Sequence, residues 1–202
     1  MIGYLTLAPV ASIIFVFTIA TSIYAFNDHT VFGKFMLHPY TVRRGRKYYT
    51  LITSGLIHGD WMHLIFNMFT FYCFAFSLEV MIGHWQFGVL YLGSLILSDI
   101  PSVVKHKDNF HYNSLGASGA ISAVLFSYIM FDPWTRLLVM FIPMPAIIFA
   151  VLYLVYSWYM AKNAKDNIGH DAHFFGALAG IIFTIIFVQN AIPNFIDALF
   201  GR

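Results

Sequence analysis

Charge is scarce in this chain. Lys, Arg, Asp and Glu make up 10% of its 202 residues, 11 basic against 9 acidic, whereas hydrophobic residues make up 59% and aromatics 19%. A soluble domain of this length needs far more charge to cover its surface, so a water-soluble globule is excluded, and the mean hydropathy of +0.73 agrees. A net charge of +2 is too small and too scattered to indicate nucleic acid as a partner. Cys73 stands alone inside an apolar run, which excludes a disulfide framework and a thiolate metal cluster. H-E-x-x-H is missing, as is any pair of aspartates set inside apolar stretches, so neither a zinc nor an aspartyl protease centre is indicated, and no cofactor is implied. There is no tandem repeat and no low-complexity tract. The first apolar run lacks a basic n-region and a small-x-small cleavage site, so it reads as a membrane span and not as a removable signal.

The charges that are present gather at 43–47, 105–108 and 162–166, with long apolar runs between them. Six apolar stretches result, at 5–26, 61–82, 86–101, 114–131, 137–158 and 171–190. Lipid cannot satisfy backbone polar groups, so helix is the economical form for each. The expectation is a single all-α polytopic membrane domain of six transmembrane helices, embedded in a lipid bilayer. The third stretch is short, and Pro143 and Pro145 predict a kink or irregularity in the fifth. The connection 27–60 is rich in His, Arg and Tyr but carries apolar patches, so it is expected to lie at the interface.

Parity then brings the polar residues together. In a six-span bundle the second, fourth and sixth helices start on one side. His63 and Asn67 stand near the start of the second, Ser118 near the start of the fourth and His173 near the start of the sixth. At a rise of ~1.5 Å per residue, all lie at similar depth beneath one surface.

Each of these residues has a plain reading and a chemical one. The run GASG at 116–119 serves helix packing in many membranes. Alternatively, Gly116 and Gly119 leave the Ser118 hydroxyl unobstructed at a helix start, where free N–H groups can receive an oxyanion. His173 lies in AHFFGALAG, whose Gly176 and Gly180 allow close approach to another helix. An intramembrane histidine marks function by default, and a neutral imidazole can accept a serine proton. Asp171 is rejected as its partner, because two residues on a helix is about 200° of rotation. His170 shares a face with His173, but no further ligand set accompanies the pair as a metal site. His63 and Asn67, spaced i, i+4, present hydrogen-bond donors on one face; they serve either as interhelical glue or as oxyanion donors. His58 precedes them and either buttresses the loop or touches substrate.

HGDWMHLIFN at 58–67, LEVMIG at 78–83, GASG at 116–119 and AHFFGALAG at 172–180 stand in an order that resembles the rhomboid family of intramembrane serine proteases. The resemblance runs from about Tyr48 to the end of the sixth span. It implies Ser118 as nucleophile, His173 as general base without an aspartate, and His63, Asn67 and the Ser118 N–H as the oxyanion hole. It also implies single-span transmembrane proteins as substrates, lateral entry beside the fifth helix, and a membrane-embedded first loop over 27–60. A bacterial inner membrane, with the active site opening outward, is the implied location.

Three departures stand out. Tyr49-Thr50 occupy the place where many members carry Trp-Arg, with Arg43, Arg44, Arg46 and Lys47 nearby to substitute. Ser122 stands where many carry an aromatic that stacks on the histidine, so something else, such as the Ser122 hydroxyl, must orient His173. Finally, an outward active site leaves only Arg136 and Arg202 on the inner side, against the positive-inside rule. Two rivals to a protease are a non-catalytic rhomboid-like binder of transmembrane helices and a small transporter. The first would not need Ser118 and His173, and the second would call for more intramembrane charge.

Overall fold

The computed structural model describes residues 2–139, 141–163 and 168–201. Part of the 162–166 charge cluster (Lys165 and Asp166) and Arg202 lie outside them. The chain is an all-α bundle. Its helices run α1 (Ile2–Leu7), α2 (Pro9–Asn27), α3 (His29–Phe35), α4 (Pro39–Val42), α5 (Thr50–Thr53), α6 (Trp61–Ile82), α7 (His84–Lys105), α8 (Ser118–Ile129), α9 (Ala146–Asn163), α10 (His170–Phe187) and α11 (Ala191–Phe200). A two-stranded hairpin, β1 (Arg136–Val139) and β2 (Ile142–Pro145), sits between α8 and α9. Among the described residues, α2, α6, α7, α9 and α10 are long and apolar enough to cross a membrane.

The expected second span reappears with its ends unchanged, as α6, and the first and sixth reappear with shifted ends. Pro9 breaks the first run: proline suits the first turn of a helix and not its interior, so α1 stops at Leu7 and α2 begins afresh. The third span is not short. α7 has 22 residues and continues through Pro101, with Ser98 and Ser102 buried on the bundle side of the break. The fifth span is corrected more deeply. Residues 137–139 and 142–145 belong to the hairpin, paired antiparallel with Arg136 opposite Pro145. Prolines bias the residue before them towards extended backbone, which suits Ile142 and Met144 to a strand. Pro143 and Pro145 therefore end before α9 begins and put no kink in it. The amphipathic α11 follows the last span, closed against the hairpin end by a Trp134 Nε1–H bond to the Leu199 carbonyl at 3.0 Å.

α8 occupies the centre. Of its 12 residues, only Ser118 and Tyr128 are not buried. At ~1.5 Å per residue it is about 18 Å long, well short of a hydrocarbon core of about 30 Å. Its first turn follows the fully buried Ala117 and so starts recessed within the bundle, with the preceding segment leading down to it. That segment is held by the 27–60 connection: Leu37 and Ser114 exchange both backbone hydrogen bonds, at 2.9 and 3.0 Å, and Gly116 N–H donates to the Ser54 carbonyl at 2.9 Å. Arg44 ties the two loops together through the Lys107 carbonyl at 3.0 Å and Asp108 at 3.7 Å, while lying 3.5 Å over the Tyr40 ring. Arg44 thus anchors the loop that Tyr49-Thr50 leaves without a Trp-Arg pair.

At the opposite end, Glu79 of α6 is fully buried. Its carboxylate accepts the Val10 N–H at 3.1 Å and the Ala11 N–H, and meets His84 Nδ1 at 2.6 Å. The first-turn amides of α2 have no partner within their own helix, so Glu79 pins that terminus to α6. Replacing Glu79 by Ala should cost about 1–3 kcal/mol for each orphaned buried amide. Thermal unfolding in detergent reads this as a lowered midpoint; an unchanged midpoint would show that α2 is held by packing alone.

Candidate active site

The residues singled out from sequence meet at the end of the bundle where α8 begins. Gly116 has φ +114°, a conformation open to glycine and strained for other residues. It turns the chain so that Ala117 is buried and Ser118 becomes the first residue of α8. The N–H groups of such a first turn have no acceptor within the helix and face whatever lies before it. Gly119 sits in a slot with no room for a side chain, since a Cβ there would run into Ser98 of α7 and come 3.3 Å from the Ala172 carbonyl of α10. That carbonyl belongs to the residue before His173.

The approach of α8 to α10 is made by glycine. A Cβ on Gly176 would collide with the Gly119 backbone, and one on Gly180 with the Ala123 backbone. His173 lies just under one turn before Gly176, on the first turn of α10. Its ring centroid is 6.0 Å from that of His170 and 6.1 Å from that of Tyr153 on α9, the latter inclined by 30°. Among the described residues, no hydrogen bond joins the Ser118 hydroxyl to the His173 ring in this resting arrangement. Catalytic hydrogen bonds commonly tighten only when substrate is bound.

Asp171 is turned away, as helix geometry requires. Its carboxylate accepts a 3.0 Å bond from Lys105 Nζ, which also reaches the Ala161 carbonyl at 2.9 Å. Among the described residues, no group of three or more His, Cys, Asp or Glu side chains is arranged to hold a metal ion.

α6 brings the donors. Asp60 caps it by accepting the His63 N–H at 2.8 Å. His63 Nδ1 accepts the Gly59 N–H at 3.4 Å, which leaves Nε2 as the protonated nitrogen of the neutral ring. That Nε2 faces the turn before Ser118: a Cβ on Gly116 would lie 2.8 Å from it. Asn67 is buried one turn further along, with one amide hydrogen on the His63 carbonyl at 2.9 Å and a second available.

His58 is a buttress. It is fully buried, with Nδ1 2.9 Å from Ser22 Oγ of α2. The Ser22 hydroxyl gives its hydrogen to the Leu56 carbonyl at 2.9 Å, so His58 Nδ1 is the donor and Nε2 carries the lone pair. The His58 and His63 rings meet edge to face at 4.9 Å. Burial, with His63 beside it, pulls the His58 pKa from 6.5 down to about 3, against a smaller opposing pull from Asp60.

A family profile described as the Rhomboid domain matches residues 45–190, which carry His58, His63, Asn67, Ser118 and His173. The chain belongs to the rhomboid family. It is 30% identical over 144 residues to the Bacillus subtilis rhomboid protein YdcA, covering 71% of this chain and 69% of that one. It is 28% identical over 173 residues to the mitochondrial RHOMBOID-like protein 12 of Arabidopsis thaliana, and 31% identical over 141 residues to the human mitochondrial presenilin-associated rhomboid-like protein. This rhomboid spans 51% of the plant relative and 36% of the human one.

Sequence reasoning left two contacts of this rhomboid unread. Ser22 as the partner of His58 and Tyr153 beside His173 both come from other helices, where no local pattern marks them. For Tyr153 the one signal was indirect: the small Ser122 leaves space that some aromatic must fill.

Two expectations follow from this packing. Gly176→Ala must push α10 off α8, an overpacking cost of about 1–3 kcal/mol. Its thermal midpoint should fall, while Gly33→Ala, which meets nothing within 4 Å, leaves the midpoint in place; equal midpoints would contradict the backbone contact. For His58, the unfolded ring protonates first on acidification, so its contribution to stability shrinks as pH falls from about 6.5 towards 3. The midpoint measured from pH 7 to pH 4 should drop less steeply in His58→Gln than in the wild type, and parallel curves would remove His58 as the source.

Proposed function

We propose that this rhomboid is an intramembrane serine protease that hydrolyses peptide bonds in or near the transmembrane helices of other membrane proteins. The reading rests above all on the glycine-lined contact of α8 with α10, which sets the first turn of α8, bearing Ser118, against the first turn of α10, bearing His173.

In this reading Ser118 Oγ attacks the scissile carbonyl carbon while a His173 ring nitrogen takes the hydroxyl proton. The carbonyl electrons move to oxygen, and that oxyanion receives hydrogen bonds from His63 Nε2–H, the Asn67 amide and the Ser118 N–H. Collapse expels the amine, which leaves with the proton held by His173. The acyl group stays on Ser118 until water, deprotonated by His173, releases the acid. Gly116 and Gly119 support the geometry by keeping the turn free of side chains. Because Asp171 is engaged by Lys105, the imidazole works without a carboxylate.

The recessed start of α8 suits a substrate that reaches the site from the membrane, a single-span protein whose helix unwinds locally. Location in a bacterial inner membrane with an outward-facing site belongs to the same reading, as do the substrates.

The test is cleavage of a model single-span substrate by purified protein in lipid. Wild type should cut, and Ser118→Ala and His173→Ala should not exceed background. Asn67→Ala should retain cleavage at a kcat lowered on the order of 10²–10³-fold, the usual loss for one oxyanion donor. Cleavage that survives in Ser118→Ala would sink the mechanism. Failure of the wild type on several substrates would favour a binder of transmembrane helices.

A further inference from the structure

A serine-histidine pair without a carboxylate needs another device to hold the imidazole, and α9 carries one. Tyr153 lies beside His173, with 6.1 Å between ring centroids and the ring planes inclined by 30°. Its hydroxyl is 2.6 Å from Ser122 Oγ. Ser122 is four residues beyond Ser118, on the same face of α8, and is buried. Phe126 of α8 and Phe149 of α9 flank the Tyr153 ring at 5.5 and 5.4 Å. The ring is therefore enclosed by aromatics, latched at its tip to α8, and laid against the histidine.

We propose that Tyr153 is the positioning residue for His173, supplied by α9 and held in register by the Ser122 hydroxyl. The inference rests on the reading of Ser118 and His173 as the catalytic pair. Three observations carry it. Among the described residues no carboxylate bonds to the His173 ring, and Asp171 is bound to Lys105. The position on α8 one turn after Ser118 is a serine whose hydroxyl bonds to Tyr153 and not to the imidazole, and it is the Tyr153 ring that lies beside His173. And α9 is otherwise lightly attached: its buried residues are Ala146, Ala150 and Ser157, while Val151, Leu152 and Val155 are exposed. A polar bond from so peripheral a helix into the core of the bundle stands out. Its consequence is that His173 is aligned only while α9 is seated on α8, which ties the reactivity of the site to the placement of its outermost long helix.

The test compares wild type with Tyr153→Phe, Tyr153→Leu, Ser122→Ala, the double variant Ser122→Ala/Tyr153→Phe, Ser118→Ala, and Tyr159→Leu as an exposed control on the same helix. Three quantities are read: kcat and KM for a model substrate, the rate at which a small fluorophosphonate labels Ser118, and the thermal midpoint. The small probe reports activation of the serine without requiring a transmembrane substrate to pass α9. Tyr153→Leu should lower kcat and the labelling rate together, on the order of ten- to a hundred-fold as misalignment at this scale does, with KM little changed. Tyr153→Phe retains the ring and should recover most of that loss. Because Tyr153→Phe and Ser122→Ala remove the same bond, the double variant should be no slower than the slower single one. Tyr159→Leu should behave as wild type.

Wild-type labelling in Tyr153→Leu would overturn the proposal, and so would a loss confined to KM, which would make Tyr153 a substrate contact. If Tyr153→Leu fails to fold, the hydroxyl pair decides: losses that add in the double variant overturn the latch. A wild type that neither cleaves nor labels, or a Ser118→Ala that still does, overturns the catalytic pair itself and Tyr153's role with it, so the two failures are distinguishable.

Discussion

Where the first two turns of α8 meet α10, side chains are nearly absent: Gly119 faces Gly176 and Ala123 faces Gly180, so main chain rests on main chain. In a membrane, lipid tails are as apolar as leucine, and helices associate by close packing and not by escape from water. Removing the Cβ atoms lets two helices approach more closely than any larger pair could. The remaining features of the site depend on that approach. It buries α8 on nearly all sides, so a helix of 12 residues can sit at the centre of the bundle without spanning it. It also brings the first turns of α8 and α10 to one depth, with the donors of α6 alongside.

A recessed helix start needs support from above, and the 27–60 connection provides it. Leu37 pairs with Ser114, Ser54 accepts from Gly116, Arg44 clamps the 107–108 turn, and Ser22 holds His58 beneath. These are backbone, cation and imidazole contacts that water would weaken, gathered where the loop packs on helix ends. The polar groups in this region are therefore mostly structural. Lys105, for example, takes up Asp171, which its place on α10 already points away from the His173 imidazole. The proposed role of Tyr153 is the counterpart of that arrangement: an aromatic face in place of a charged partner, delivered by a neighbouring helix because α8 has only Ser122 at that point.

Much of this was legible in the order of residues. Hydropathy is local, so the membrane class, the number of apolar runs and the helical form could be read from stretches of some twenty residues. Parity then required nothing more than counting to bring His63, Asn67, Ser118 and His173 to one side, and periodicity alone was enough to turn Asp171 away. Family membership rests on the same local motifs, which fall inside the matched 45–190 segment.

Tertiary structure decided which partners each segment would meet. The segment 137–145 is as apolar as a span, and only its antiparallel pairing shows that its prolines belong to a hairpin. Nothing near Glu79 announces that its carboxylate caps a helix 68 residues earlier. Among 12 tyrosines, none is marked by its neighbours as the one that meets His173, because that contact is made only where α9 packs beside α10. A sequence determines which surfaces a helix carries; which of them come together is set by how closely the backbones can approach, and here glycine on two helices sets that limit.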